Sequence, residues 1–360
     1  MPRPPVFRTI STGILAAFAV PPLKSPGRPS ALRLVAMLLL AAACLAGAPA
    51  LARDKADPIA ITLSSRSVSL DDDDPKHDRV GRLRWRGGIE ITASGARFGG
   101  LSSLQVSADG TRLLAISDRS EWLSADLVYD DAGRLTGLTG GQTAWLRGMN
   151  GKAMTSYIMK DSESLAFLDD GSLLLSFERT HRLWRYDVID GRPTGSATAW
   201  PTPDGLSEAP SNGGLEALTE LSDGGLLALT EDLDEGDAKT GFLWRHGAWS
   251  RLTYLPGPGF KPTGASRLPG SDDVLVLERR VSTFSGFHVR LVRLAAADIQ
   301  PGARLRGEEL ARWGAPLTVD NFEGLSARRG ADGEILIYMV SDDNFSLFQR
   351  TLLLMFALED

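Results

Sequence analysis

Five stretches of this chain repeat one pattern at intervals of about 50–60 residues, and that recurrence limits the fold more than any other feature. They run from Gly100 to Arg119, Asp161 to Arg179, Gly214 to Asp232, Lys261 to Arg280 and Asn321 to Asn344. Each holds a short strand-like run, a turn and a second, strongly aliphatic run. The turns carry Asp109-Gly110, Asp170-Gly171, Asp223-Gly224, Asp272-Asp273 and Asp332-Gly333. Gly and Asp tolerate positive φ, so such a pair between two β-type runs signals a hairpin. A third run follows at Leu127–Asp130, Leu183–Val188, Leu243–Gly247, Leu291–Leu294 and Leu352–Leu358, and Trp145, Trp200, Trp249 and Trp313 mark a fourth. Four strands per unit at this period predict an all-β chain folded as a β-propeller. Five blades are visible, and residues 54–98 leave room for a degenerate sixth. The stretch from Arg82 to Ala93 is expected to supply the outer strand that the last unit lacks, closing the ring. An ordinary β-sandwich accommodates five such recurrences poorly.

Aligning the first runs produces a column of Ser102, Glu163, Glu216, Thr263 and Glu323. First strands line the central channel of a propeller, so a column at one level brings its side chains together around the axis. Carboxylates gathered there repel one another unless a cation neutralises them. Oxygen donors without Cys or clustered His select a hard ion, Ca²⁺ first and Mg²⁺ or Mn²⁺ after it. A second column ends the second runs: Asp118, Glu178, Glu231, Glu278 and Asp342, with Asp343 and Asn344 beside the last. Asp118 and Asp342 are further candidate metal ligands. Arg119, Arg179 and Arg279 follow acids of this column and are candidate anion clamps, since guanidinium binds phosphate or carboxylate bidentately. The plainer alternative is that both columns form ion pairs and backbone hydrogen bonds only.

Charge is unevenly spread. Residues 1–52 hold Arg3, Arg8, Lys24, Arg28 and Arg33 but no Asp or Glu, which leaves 34 basic against 45 acidic side chains thereafter, a net of −11. That acid excess argues against a nucleic-acid partner. Arg28 and Arg33 precede an apolar run from Leu34 to Ala46, followed by Gly47, Pro49 and Ala50-Leu51-Ala52. This is the order of a secretory signal with cleavage after Ala52, and it predicts a periplasmic or secreted protein. An uncleaved anchor and lipidation at Cys44 are the alternatives. Cys44 is the single cysteine, so the processed chain has no disulfide, thiol nucleophile or Cys-zinc site. The expected organisation is a targeting segment over 1–52, an acidic linker or degenerate strand region over 53–79, and the propeller over 80–360. The mature form is expected to be a monomer with no membrane span.

Other chemistries are thinly represented. Gly264-Ala-Ser266 and Gly324-Leu-Ser326 both lack the closing glycine of a nucleophile elbow. His77, His181, His246 and His288 are scattered, and only His181 lies within reach of the channel mouth. The stretch from Asp232 to Asp237 has its glycine one place early for a calcium loop. Asp71 to Asp74 read as a solvated run. Residues 147–160, with Lys152, Tyr157 and Lys160, form the longest insertion, and such loops are often functional.

The ordered motifs Gly99-Gly-Leu-Ser-Ser, Ile116-Ser-Asp-Arg119, Asp161-Ser-Glu-Ser, Phe177-Glu-Arg179, Gly214-Leu-Glu-Ala-Leu-Thr-Glu220, Asp320-Asn-Phe-Glu-Gly-Leu325 and Ser341-Asp-Asp-Asn344 resemble the bacterial phytase-like family, known for an esterase-like activity of phytase. The resemblance covers roughly residues 80–358. It implies an exported propeller that hydrolyses a phosphoester or another ester. By analogy with propeller phytases it implies calcium at Glu163, Glu216 and Glu323, with Arg119, Arg179 or Arg279 holding the anion. Two other functions remain open. One is a metal-dependent lactonase-type hydrolase, whose smaller, uncharged substrate suits an acidic channel. The other is a non-catalytic propeller that binds an envelope ligand or a protein.

Overall fold

A computed structural model describes residues 54–94, 98–156 and 158–359. The targeting segment over 1–52, with Cys44 and its Ala50–Ala52 site, and Tyr157 lie outside the described residues. Each repeat folds as its turns dictate. Gly110, Gly171, Gly224 and Gly333 adopt the positive φ that the tight turns need.

Five antiparallel sheets result. From the innermost strand outward, blade 1 is Leu101–Val106, Arg112–Ser117, Glu121–Tyr129 and Leu135–Trp145. Blade 2 is Ser162–Phe167, Leu173–Phe177, Arg182–Ile189 and Arg192–Trp200. Blade 3 is Leu215–Glu220, Leu226–Glu235, Ala238–Arg245 and Ala248–Tyr254, with the short Arg304–Leu305 added in parallel. Blade 4 is Lys261–Arg267, Val274–Ser282, Gly286–Leu294 and Glu308–Gly314. Blade 5 takes Phe322–Arg329, Ile335–Ser341 and Leu352–Leu358 from the end of the chain, and Leu83–Ser94 from its beginning. That strand pairs Leu353 with Ile89 and Leu358 with Leu83, closing the ring as expected. Residues 54–94 form no sixth blade. Ile59–Ala60 edges blade 1, and Thr62–Ser67 edges blade 5 beyond Leu83–Ser94. No helix among the described residues is long and apolar enough to cross a membrane.

The core is divided among the five gaps between blades. Ile116 and Trp122 meet Leu165 and Phe177 between blades 1 and 2. Leu174 and Leu183 meet Leu218 and Phe242 in the next gap, and Leu229 and Tyr254 meet Val276 and Val292 in the third. Leu277 and Leu291 pack on Ile337 and Phe356, and Tyr338 and Met355 pack on Leu104 and Leu123 to complete the circle. A sheet covered on both faces has no polar side to alternate, which is why runs such as Leu173-Leu-Leu and Leu352-Leu-Leu-Met are continuously apolar.

Each innermost strand has a sheet partner on one side only, so its inward N–H row needs other acceptors. Hydroxyls of the adjoining blade supply them. Leu218 N–H donates to Ser164 Oγ at 3.0 Å, Arg267 N–H to Thr219 Oγ1 at 3.1 Å and Ala327 N–H to Ser266 Oγ at 3.0 Å. At the closing junction Val106 N–H donates to Ser326 Oγ at 2.9 Å. These bonds demand close approach of neighbouring inner strands. A Cβ added at Gly324 would lie 2.9 Å from the Leu104 backbone nitrogen and 2.5 Å from Val340 Cγ1. Gly324→Ala is therefore expected to pry blade 5 from blade 1 and cost about 1–3 kcal/mol in urea denaturation, where an unchanged midpoint would contradict this packing.

Candidate metal centre

In every blade the first and second strands slip out of register at the same place. Pairing skips Ser102 between Leu101 and Ser103, Glu216 between Leu215 and Ala217, Thr263 between Pro262 and Gly264, and Glu323 between Phe322 and Gly324. In blade 2 it jumps over Glu163 and Ser164, from Ser162 to Leu165. A bulge frees the extra residue from the ladder and turns its side chain aside. The sequence column is thus a column of bulges. Glu163, Glu216 and Glu323 are all buried and near enough to perturb one another: Glu163 senses Glu323, and Glu216 senses both.

Two further positions recur around each bulge. The residue two places earlier accepts a backbone hydrogen bond from a residue at or just beyond the stretch of the second strand that pairs with the first. Gly100 accepts from Asp118, Asp161 from Glu178, Gly214 from Glu231 and Asn321 from Asp342. In blade 4 the corresponding pair is Lys261 and Arg279, because Lys261 faces Arg279 in the ladder. The sequence alignment of Glu278 with the acids is therefore off by one residue. Glu278 is fully buried elsewhere, bonded to Tyr254 and to Arg290 at 2.7 Å.

The blades consequently differ in charge at the mouth. Blade 2 presents Asp161, Glu163 and Glu178, whereas blade 4 presents Lys261, Thr263 and Arg279. Oxygen atoms of Asp161, Glu163 and Glu178 lie within 4.8 Å of one another, and all three residues are buried. Asp161 reaches this position at φ 102°, unusual for any residue with a Cβ. Blades 1 and 3 place Gly100 and Gly214 at the same point. A costly Asp in a glycine position marks a backbone held for its carboxylate.

Burial dominates the electrostatics. It raises Glu163 and Glu216 well above the ordinary carboxylate range, with the neighbouring acids adding to the effect. Burial lifts Glu323 to about 8, with Asp342 adding and Arg279 opposing. Glu178 rises to about 7 for the same reason, although the Gly214 N–H and the Glu216 side chain both hydrogen-bond it. Asp118 is pushed to about 7 by burial and by Asp342, and Asp342 to about 6 by burial.

The basic residues are largely engaged. Arg279 reaches Glu231 at 2.8 Å and Glu323 at 2.9 Å and also bonds Asn321. Lys261 lies 3.4 Å from Glu231 and pairs with Asp232. Arg179 pairs with Asp161, and Arg119 stacks on Phe345 with its guanidinium carbon 3.1 Å from the ring centroid. His181 bonds the Pro210 carbonyl through Nε2 at 3.0 Å, leaving a buried Nδ1 beside Gly214 without a partner. Asp232 and Asp234 both bind Lys239, so this stretch is an ion-paired hairpin.

The structure thus gathers Glu163, Glu216, Glu323, Asp118 and Asp342 with Asp161, Glu178 and Glu231. Sequence reasoning overlooked Asp161 as a site residue; an Asp aligned with two glycines was the available signal. The donor set fits a hard cation. Its three closest members are all carboxylates, and the buried Oδ1 of Asp118 has no hydrogen-bond partner.

Comparison with known proteins adds a family. The sequence matches the family described as "Phytase-like: Esterase-like activity of phytase" over residues 96–345. No protein of curated function matches. Among solved structures, a putative gluconolactonase is 15% identical with a TM-score of 0.39, over 82% of this chain and 95% of that one. Virginiamycin B lyase from Staphylococcus aureus is 11% identical with a TM-score of 0.40, over 82% and 100%. A luciferin-regenerating enzyme is 11% identical with a TM-score of 0.38, over 72% and 92%. Scores at this level carry nothing about chemistry.

The raised acids fix the sign of a pH effect. Their contribution to stability is fully present below the unfolded values near 4, and is lost as pH climbs through the folded ones, because the unfolded chain releases its protons first. In chelator the melting temperature should fall from about pH 5 to about pH 8, and a hard divalent cation should restore it at the upper end. A melting temperature that stays level or rises over this interval in chelator would contradict the buried acidic ring.

Proposed function

Because the chain belongs to the phytase-like family, we propose that it is a hydrolase of a phosphoester or another ester, working with a hard divalent cation, calcium first, at Asp161, Glu163 and Glu178. The observation that carries this reading is the buried triad whose oxygens lie within 4.8 Å of one another. A cation there supplies Lewis acidity toward an ester oxygen. The chain's own residues do the remainder.

Glu163 and Glu178, with Asp161 paired to Arg179, would hold the ion. Glu216, which burial and the neighbouring Glu163 hold well above the ordinary carboxylate range, is assigned the role of general acid toward the leaving oxygen. Glu323 accepts from Asn321 Nδ2 at 2.9 Å and keeps Arg279 in place. Lys261 and Arg279, on the blade without acids at the mouth, take the anionic end of the substrate, while Arg179 and Arg119 stay with Asp161 and Phe345 on blades 2 and 1. Asp118 and Asp342 would add further carboxylate oxygens at the same mouth.

A lactonase-type reaction is the second reading. It is favoured by Arg279 already being held by two carboxylates, which leaves less free positive charge for a phosphate. Residues 1–52 are read as an export signal cleaved after Ala52, which places the enzyme in the periplasm or outside the cell.

Calcium calorimetry on residues 54–360 should show one tight site that Glu163→Gln removes. In the same buffer, Glu216→Gln should lower kcat by about 100-fold or more on whichever aryl phosphate, aryl acetate or lactone is turned over. Absence of calcium binding together with no hydrolysis of any of the three would leave a ligand-binding propeller as the better account.

A further inference from the structure

The end of the ring opposite the acidic mouth also opens onto the axis. All five innermost strands finish there. Leu104, Leu165, Thr219, Ala265 and Leu325, one from each, line a cavity of about 230 Å³. An apolar hollow with a few convergent polar groups is the form a small-molecule site takes. Here the polar groups are Gln105, Glu220 and Arg267.

Arg267 selects the ligand class. Its N–H donates to Thr219 Oγ1 at 3.1 Å, which fixes where the side chain leaves its strand. Its half-buried guanidinium makes no hydrogen bond or ion pair among the described residues. Arg147, Arg279 and Arg350, at the other end, are by contrast held by carboxylates. At the cavity rim Arg329 bonds the carbonyls of Pro269 at 2.9 Å and Gly333 at 2.8 Å, and meets no carboxylate either. Two acids stand nearby. Glu220 accepts the N–H of the exposed Asp169 at 2.8 Å, and burial, then the Asp169 charge, lift Glu220 to about 7 against the pull of Arg267. Below that pH Glu220 has a proton to donate rather than a charge that repels. One free guanidinium beside a protonated carboxyl matches a single carboxylate, and two acids this close disfavour a dianion.

A second cavity, also of about 230 Å³, shares Gln105 and Phe167 with the first as walls. It lies between blades 1 and 2 and is lined by Val106, Leu113 and Leu114. Its one charged wall residue, Arg112, is already engaged by Asp126 at 3.4 Å and by the Asp190 carbonyl at 3.0 Å. A head group on Arg267 thus leads past Phe167 into an apolar slot, where each buried methylene adds affinity.

We propose that the far end of the channel is a second binding site, for a monocarboxylate with a short acyl tail. The carboxylate sits on Arg267 and the tail lies between blades 1 and 2. The site is apart from the acidic triad, and its test needs neither cation nor activity.

Residues 54–360 contain all five blades, and this protein would be titrated by calorimetry with acetate, butanoate, hexanoate and octanoate. The buffer would hold chelator at about pH 6, where Glu220 is mainly protonated. Arg267→Gln removes a guanidinium with no hydrogen-bonded partner to lose, and its melting temperature reports that it folds. The expected result is one octanoate site, with affinity that rises as the chain lengthens and falls about tenfold or more in Arg267→Gln. In crystals soaked with octanoate brominated at its far carbon, the anomalous bromine peak should lie against Phe167 and Leu114. No octanoate binding, equal binding by Arg267→Gln, or a bromine peak away from that slot would overturn the proposal.

Discussion

Gathering carboxylates at one buried level of a ring is the constraint around which this molecule is arranged. Asp161, Glu163, Glu178 and Glu216 each lose solvation and meet like charge, and every route of relief leaves a mark. Some of the strain shows in the acids themselves, as at Glu178, which burial lifts to about 7. Some is met by Arg279, lodged between Glu231 and Glu323. Blade 2 has its own arginine at Asp161 but still concentrates three acids, and that is where a cation has most to offer.

The fold makes this concentration achievable. Five interblade cores and the hydroxyl bonds between inner strands hold the ring, so a bulge in each first strand is tolerated without loss of closure. The same bulge, repeated five times, offers five equivalent places around one axis. The repeats differ there in charge. Blade 2 is wholly acidic, blade 4 is Lys, Thr and Arg, and blades 1 and 3 use glycine where blade 2 strains an aspartate. A repeated scaffold thereby carries a charge difference across its mouth, acidic at blade 2 and basic at blade 4.

Much of this was legible before any coordinates. Asp-Gly turns and aliphatic second runs marked the blades, and the unpaired third strand at Leu352–Leu358 pointed to Arg82–Ala93 as its partner, which the structure forms as Leu83–Ser94. The Glu163, Glu216 and Glu323 column was readable because each bulged residue sits in the short entry run just ahead of its turn, 7 residues before the turn Asp in the first three blades and 9 in the last two. Other features were hidden for physical reasons. Pairing across a bulge is not written in residue spacing, so Glu278 stood in the alignment where Arg279 stands in space. Asp161 was obscured because its importance lies in a backbone conformation, φ 102°, that composition does not reveal. The engagement of Arg279 by two acids from neighbouring blades depends on three repeats at once.

The central claim is that blade 2 holds a hard cation among Asp161, Glu163 and Glu178. Anomalous diffraction from a crystal of residues 54–360 grown with Mn²⁺ tests it most directly, since Mn²⁺ accepts the same oxygen donors and scatters anomalously. The account predicts a peak within about 2.0–2.6 Å of oxygens from those carboxylates. A fully occupied peak elsewhere with none at blade 2, or no peak in a well-ordered mouth, would contradict it.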